Sequence, residues 1–499
     1  MSPAAPRDGS WRTWLRDDPR VREALRRGEA VEVEPTGYGG NDFLLEFLMG
    51  SGLWELLCSV RPRGLKKDNG KPWRALNGLE VLRELVRVER VAQCGRVIQD
   101  TRLMMIAGFN AEALTRARRR RGLVVTPQTL GNHLARIHPR EVVETFYGHG
   151  ALLRGKGWLR RGVYAADAHE ITFPHARGWP GMGKVGEAHG YKLVLLVRTG
   201  PGEERIAGFA LGPLHASEHL LLRMMLREIE RRVCPVRRLI DVLVLDRGYW
   251  GAEFLLGLRR RYGFHFVTRA QHEGLGLVQD VEGMLRDEEN PTRWVRVGED
   301  RSRLGPIEVR LRALSSIPLH EKHGRRVGEA NIVVADEYDL RGKRLRNPDG
   351  TERPRFYYVT DMPVEADPYP IRGFYLRRWT VENQGFRNLT QRWGLDVPAG
   401  RGINPLLARL LFVLVLANAE MVVQELFPGP WQEERRRLSK LGVQGLLGGA
   451  PALAAYTDQG HLGLLSVEDY GELLLQAERD RVARDIRAAL ARGESPETV

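Results

Sequence analysis

Cysteine is scarce in this chain: Cys58, Cys94 and Cys234 lie far apart and form no Cys-x2-Cys pair. This scarcity argues against a disulfide framework and a zinc ribbon, and it suits a reducing cytoplasm. The N-terminal segment is polar and of mixed charge, which is not the composition of a signal peptide. The uninterrupted apolar stretch 410–417 is far shorter than the roughly 20 residues that a membrane span requires. We therefore expect a cytoplasmic protein with no membrane partner.

Acidic residues are fewer than basic residues in this chain. The 499 residues include 77 Lys and Arg against 63 Asp and Glu, which gives a formal charge of +14. This excess favours a polyanionic partner such as nucleic acid, although arginine-rich coding in a GC-rich genome produces the same bias. The content of 42% hydrophobic residues is that of a globular protein, and the length predicts roughly two to four domains.

The first region, 1–154, is predicted to be helical and to bind DNA. Apolar residues recur at helical spacing in 41–54 and 79–98. The segment 113–140 carries seven arginines and no acid. A basic stretch of this kind favours contact with phosphates, and a solvated basic surface is the alternative.

Within that stretch, Thr126 and Pro127 are a typical N-cap and first-turn pair. The helix that follows resembles the second helix of a helix-turn-helix, because it combines one apolar stripe with a polar face that can bond to bases or phosphates. The stripe consists of Leu130, Leu134 and Ile137, and the face that we expect to be exposed consists of Gln128, Thr129, Asn132 and His133.

From residue 155 the periodicity changes to that of an α/β domain. Strand and helix patterns follow one another in the order β-β-β-α-β-α-β. The segments are 162–173, 189–198, 205–211, 216–233, 238–246, 253–262 and 264–268. This is the element order of a ribonuclease-H-like core, and its first part is predicted to span 155–270.

The core is expected to be interrupted and then resumed. Residues 271–354 are polar and are predicted to form a β-rich insertion. The second part of the core, 355–425, contains a helix at 370–392 and closes with an apolar helix at 406–423. The remaining residues, 426–499, are predicted to form a helical C-terminal region. The candidate strands of the insertion are 293–297, 307–314 and 330–334.

Two aspartates lie on predicted strands. Asp167 shares one strand face with Val163, Ala165, His169 and Ile171, because side chains alternate with a period of two. Asp246 ends a nearly all-apolar strand, and sites in open α/β sheets gather outside such strand ends. Taken singly, each aspartate has a plainer explanation, as a strand end in solvent or a helix cap.

A third carboxylate lies on the predicted helix 370–392. Glu382 and Arg378 fall in one narrow helical stripe with Tyr375, Phe386 and Leu389. This stripe is expected to pack inward, where a carboxylate requires compensation. An intrahelical Arg378–Glu382 pair is one source of compensation, and a metal ion is another.

The pattern Tyr375-x2-Arg378-x3-Glu382 follows two strand-borne aspartates and the turn Asp246-Arg247-Gly248-Tyr249. Together they resemble the DDE transposases of bacterial insertion sequences. The resemblance is to the branch with the signature Tyr-x2-Arg-x3-Glu-x6-Lys and a β-strand insertion, and it covers roughly 160–425. At the signature lysine this chain has Leu389.

The resemblance implies a metal-dependent phosphoryl transfer on DNA. Asp167, Asp246 and Glu382 would be the catalytic residues and would hold two Mg²⁺ ions, for which Mn²⁺ can substitute. The expected partners are transposon terminal inverted repeats and target DNA, bound by a homodimer in the bacterial cytoplasm at the nucleoid. The DNA-binding residues would be Tyr375, Arg378, Lys192 and Arg247.

Two other functions remain open at this point. One is a transposase-derived DNA-binding protein without chemistry, which the leucine at the signature lysine favours. The other is a ribonuclease-H-like nuclease without strand transfer. Metal-dependent nicking separates the first from a transposase, and joining of a pre-cut 3′ end separates the second.

Overall fold

The chain divides into two compact units, one of 146–396 and one of 1–145 together with 397–499. The computed structural model describes residues 13–14, 19–27, 30–36, 42–64, 72–109, 114, 123–173, 178–200, 202–270, 276–286, 296–302, 305–321, 324–347, 349–429, 431–432, 452–457, 461–465 and 467–491. The predicted basic run 116–121 lies outside these residues.

Strands and helices of the described residues are numbered in chain order. The strands are β1 (Thr13–Trp14), β2 (Ala30–Thr36), β3 (Gly162–Thr172), β4 (Gly183–Val185), β5 (Ala188–Arg198), β6 (Arg205–Pro213), β7 (Ile240–Leu245), β8 (His265–Arg269), β9 (Arg296–Ser302), β10 (Gly305–His320), β11 (Arg326–Tyr338), β12 (Phe356–Thr360), β13 (Ala452–Thr457) and β14 (His461–Leu465). The helices are α1 (Pro19–Arg27), α2 (Asp42–Ser51), α3 (Leu53–Cys58), α4 (Trp73–Leu85), α5 (Gly95–Gln99), α6 (Thr101–Ala107), α7 (Pro127–Arg136), α8 (Pro139–Gly155), α9 (Glu218–Arg232), α10 (Ala252–Tyr262), α11 (Gly276–Arg286), α12 (Tyr369–Leu376), α13 (Arg387–Trp393), α14 (Ile403–Leu426) and α15 (Val467–Ala491).

The unit 146–396 is built on one mixed sheet, in the order β4-β5-β3-β7-β8-β12-β11-β10-β9, with β6 paired to β5. Strands β3, β7 and β8 run parallel at its centre, and β3 pairs antiparallel with β5. The predicted α/β class is therefore confirmed, and the predicted order β-β-β-α-β-α-β is found with one addition, the three-residue strand β4 between β3 and β5. The apolar strand β7 is buried along almost its whole length, as expected for a parallel strand covered on both faces.

The strands of the predicted insertion extend this sheet. Strand β12, which begins the resumed core, pairs antiparallel with β8, and the insertion strands β11, β10 and β9 follow it edge to edge. Strands β10 and β11 are longer than the predicted segments because they pair with each other along most of their length. The insertion also contains helix α11.

In the other unit, α14 is buried from Pro405 to Val423 and packs against α2, α3, α4 and α7. This helix is long and apolar enough to cross a membrane by length and composition, and its most apolar window is completely buried inside the protein. Its charged residue Arg409 has a partner there, since Nε donates to Glu84 Oε1 at 2.8 Å.

Helix α7 has the predicted cap, because Thr126 Oγ1 accepts a hydrogen bond from the Thr129 amide. Gln128 and Asn132 are exposed as predicted. The prediction that His133 is exposed was wrong. Its ring is buried and lies 2.7 Å from the Asn77 side chain of α4, and burial, with a contribution from Arg136, lowers the pKa of His133 to about 4. His133 therefore belongs to the buried face of α7, and this face is wider than the stripe formed by the three apolar residues alone.

The prediction of a wholly helical C-terminal region was also wrong. Strands β13 and β14 pair antiparallel, and β13 pairs with β2 of the N-terminal region in a sheet of order β1-β14-β13-β2. A strand is stabilised by its partners, and a partner more than 400 residues away leaves no local pattern. Helix α15 follows as predicted.

Arg409→Gln is expected to lower the free energy of unfolding by about 3 kcal/mol, because it leaves a buried carboxylate without one of its cations. This loss is at the low end for a broken buried ion pair, because Arg83 also contacts Glu84 and remains as its partner. Urea unfolding measures the change. Exposed Arg401→Gln is the matched control, and an equal loss in both variants would contradict the role of the pair.

Candidate active site

Asp167 and Asp246 are placed side by side by strand register. Strands β3 and β7 pair in parallel up to Ala166 and Leu245, so the two aspartates come next on both strands. Beyond Asp246 the chain turns, with the Tyr249 amide donating to the Asp246 carbonyl at 3.0 Å. Adjacent strands are about 4.8 Å apart, which brings both carboxylates to one sheet edge.

Glu382 reaches the same place from the other part of the unit. The predicted continuous helix is divided: α12 ends at Leu376, a π-helical segment spans Val381–Phe386, and α13 follows. The wider turn of a π-helix shifts the direction of its side chains, and such segments are common at functional sites. Phe386 and Leu389 are buried as predicted, whereas the Glu382 side chain is 38% exposed at the edge of the site.

The Arg378 guanidinium contacts all three carboxylates. Its Nη1 lies 2.7 Å from Asp167 Oδ2 and 2.5 Å from Glu382 Oε1, and its Nε lies 3.4 Å from Asp246 Oδ1. The Tyr375 hydroxyl donates to Asp246 Oδ1 at 3.3 Å. The structure thus brings together five of the predicted site residues.

Burial and charge act in opposite directions on this group. Burial raises the pKa of Asp167 to about 6, although Arg378 and the Ala168 amide favour the ionised form. Burial also raises the pKa of Tyr375 to about 12, together with the charge of Asp246. Burial lowers the pKa of Arg378, but the carboxylates outweigh it and the net pKa is above the usual value. The guanidinium therefore stays charged.

A cleft of about 740 Å³ opens beside the carboxylates. Arg247 and Arg269 line it, and the indole of Trp379 on its wall is 42% exposed. Arg372 and Arg353 also line it, but both bind the Glu337 carboxylate. Positive side chains with an exposed aromatic ring are the composition of a nucleic-acid surface.

A family model described as the transposase DDE domain matches residues 158–419, which is more than half of the chain. The chain belongs to the DDE transposase family. It is therefore an enzyme that acts on DNA, as the resemblance predicted. Among solved structures, the cryo-electron microscopy structure of a piggyBac transposase synaptic complex with hairpin DNA is similar over 82% of this chain and 79% of that chain, at 9% sequence identity and a TM-score of 0.38. No curated protein matches the chain.

DDE transposases generally use divalent metal ions, and the donor set of this transposase fits such an ion. One positive charge faces three carboxylates, whose oxygens are the ligands that Mg²⁺ prefers. Among the described residues, no three His, Cys, Asp or Glu side chains are already grouped for a metal ion. The group that the three carboxylates share is the Arg378 guanidinium.

The other predicted DNA-binding residues of the transposase differ in availability. Arg247 is exposed at the cleft. Lys192 lies on β5 with its ammonium 3.3 Å from the Glu218 carboxylate, and its side chain is 15% exposed. Leu389, at the signature lysine position, is completely buried. Of these three positions, Arg247 is the one with a solvent-facing charge at the site.

Two features of the site were missed by the sequence reasoning. His169 Nε2 lies 2.9 Å from Asp396 Oδ1, and its ring stacks on Phe386 at 5.1 Å. This contact ties the strand of Asp167 to the π-helical segment of Glu382. The two-residue period already placed His169 on the face of Asp167, but nothing local indicated its partners. Arg269 and Trp379 gave no signal, because a cleft forms only in three dimensions.

Proposed function

We propose that this transposase carries out cut-and-paste transposition, cleaving DNA at transposon ends and joining the freed 3′ ends to target DNA. The observation that carries the proposal is the convergence of Asp167, Asp246 and Glu382 on one guanidinium beside a cationic cleft. These carboxylates would hold two Mg²⁺ ions, with Mn²⁺ as a substitute, and the ions would supply Lewis-acid activation of the attacking and leaving oxygens.

The residues around the carboxylates orient them and hold the substrate. The Tyr375 hydroxyl and the Ala168 amide each donate to an aspartate oxygen, which fixes the directions of the remaining lone pairs. Arg247 and Arg269 are placed to bind phosphates in the cleft, through charge-assisted hydrogen bonds. Because these contacts go to the backbone of DNA, they position the strand without reading its sequence.

The other regions have proposed roles in assembly. We assign 1–154 to DNA binding, with Gln128 and Asn132 of α7 as candidate contacts, and 426–499 to pairing of two protomers on the transposon ends. The catalytic parts would be 155–270 and 355–425, with 271–354 as the insertion; of the second part, 355–396 belongs to the unit of the mixed sheet and α14 to the other unit. This assignment describes a homodimer acting on inverted repeats and target DNA at the bacterial nucleoid.

The test uses a duplex built from the DNA that flanks the coding sequence, incubated with Mg²⁺ or with EDTA. Metal-dependent nicking at a defined position, followed by joining of a pre-cut 3′ end to plasmid DNA, is the expected result. Binding without nicking identifies a DNA-binding protein without chemistry, and nicking without joining identifies a nuclease. Either of these outcomes contradicts the proposal.

Arg269→Gln is expected to weaken duplex binding. The negative slope of log affinity against log salt is expected to decrease in magnitude by about 1, since one phosphate contact is lost. Its guanidinium lies 4.5 Å from the Phe356 ring, which holds it at the cleft. Fluorescence anisotropy at several salt concentrations gives the slope. Exposed Arg260→Gln on α10 removes the same charge away from the cleft, and an equal change there would refute a local contact.

A further inference from the structure

Arg378 has two sets of candidate binding partners, DNA phosphates and the three carboxylates, and it cannot bind both at once. The resemblance assigns it to DNA phosphates, and it does line the cleft with Tyr375 and Trp379. In the structure, however, Nη1 binds Asp167 and Glu382, Nε faces Asp246, and the side chain is 8% exposed. A guanidinium held in this way presents little surface to a phosphate.

The contacts around Arg378 differ from those of a purely structural arginine. Arg372, six residues earlier in the chain and on α12, is bound at 2.8 Å to Glu337, and both side chains are almost completely buried. The partners of Arg378 are more open, since the side chains of Asp167, Asp246 and Glu382 are 15%, 31% and 38% exposed. Its contact with Asp246 is also long, at 3.4 Å. These ion pairs can therefore be exchanged without opening the core.

Two aromatic rings lie beside the Arg378 guanidinium. The Arg378 guanidinium carbon lies 5.8 Å from the centre of the Tyr375 ring and 5.3 Å from that of Trp379, and both rings line the cleft. A guanidinium that leaves the carboxylates moves along these aromatic faces, which attract cations.

We propose that Arg378 positions the three carboxylates as their counter-ion before metal ions bind, and that divalent cations release it to a DNA phosphate in the cleft. This inference rests on the proposed function, because it assumes that the carboxylates hold metal ions. It makes metal binding and DNA binding cooperative. By linkage, cations raise DNA affinity through Arg378, and DNA raises cation affinity by the same factor.

The experiment measures this coupling without catalysis. Affinity for a fluorescein-labelled duplex of fixed sequence is determined by anisotropy in EDTA and in Ca²⁺, which takes oxygen ligands. For wild type, Ca²⁺ is expected to tighten binding roughly tenfold. For Arg378→Gln, the ratio of the affinity in Ca²⁺ to the affinity in EDTA is expected to fall below about threefold. The effect that remains comes from the neutralisation of the carboxylates by Ca²⁺.

A second readout is the melting temperature, for which the Ca²⁺ effect is expected to be larger in the variant than in wild type. Without DNA, Ca²⁺ is expected to raise the melting temperature of Arg378→Gln more than that of wild type, because no internal cation then competes for the carboxylates. Arg378→Lys keeps the charge but loses the planar fork. It is also expected to show a larger Ca²⁺ shift than wild type, which tests the inference even if the Gln variant does not fold.

Arg377→Gln is the matched control, since Arg377 is the exposed adjacent arginine and its loss removes the same charge. It should bind DNA more weakly while keeping the wild-type ratio and thermal shift. An unchanged ratio in Arg378→Gln, or a Ca²⁺ shift in the Lys variant no larger than in wild type, overturns the counter-ion role alone. Absence of any Ca²⁺ binding to wild type overturns this role and the metal-dependent function together.

Discussion

Asp246→Asn is expected to lower the rate of Mg²⁺-dependent strand cleavage at least about a thousandfold. The amide removes one negative charge and one anionic oxygen from the proposed metal site, and stabilisation by a catalytic metal is worth several kcal/mol of barrier. Tyr375, which donates to Asp246 Oδ1, still finds an oxygen acceptor in Asn. The fold should therefore persist. Single-turnover nicking of an end-bearing duplex, followed on denaturing gels, gives the rate.

The same strand supplies a matched control. Asp241 lies at the other end of β7, where its carboxylate pairs with Arg161 on the surface and its side chain is 42% exposed. Asp241→Asn makes the identical chemical change on the same strand, and we expect it to cleave DNA at the wild-type rate. Full activity in Asp246→Asn, or equal losses in both variants, would remove Asp246 from the catalytic set.

The aspartate pair could be predicted from sequence because its geometry is local. The alternation in β3 and the apolar run of β7 place Asp167 and Asp246 at fixed points of their strands, and parallel pairing then sets them together. The place of Arg378 could not be predicted in this way. Helical spacing indicated a pair with Glu382, whereas its contacts with the two aspartates depend on how the segment between α12 and the π-helical turn docks on the sheet.

The π-helical segment marks a second limit of sequence reasoning. An α-helical repeat correctly assigned Phe386 and Leu389 to the buried face, but it predicted one straight helix over 370–392. Hydrophobic spacing constrains which residues are covered and not the number of residues in each turn. The edge position of Glu382 follows from that local change.

The charge of +14 is only partly available to DNA. Arg83 and Arg409 are buried against Glu80 and Glu84, and Arg372 is buried against Glu337. Such arginines serve the fold, because each compensates a carboxylate away from water. The net excess therefore does not measure the DNA surface. The arginines that line the cleft and face solvent, such as Arg247, are a better measure of it.

His149→Leu is expected to make the protein less sensitive to acid. The ring is completely buried in α8, and burial lowers the pKa of His149 to about 3 from its ordinary 6.5. At pH values between these two pKa values, the ring binds a proton in the unfolded chain but not in the folded protein. The free energy of unfolding therefore falls as the pH drops. The contribution of this ring to the loss of stability reaches about 4 kcal/mol near pH 3. Urea unfolding across this pH range measures it.

Leucine fills a similar volume and does not titrate, so His149→Leu should lose less stability than wild type over the same interval. The ring of His149 lies 5.7 Å from that of Phe146, and this apolar neighbour accepts the substitution. The control is His320→Leu, in which an exposed histidine is replaced and the wild-type pH dependence is expected to remain. Parallel pH curves for wild type and His149→Leu would show that this ring does not set the acid limit of the fold.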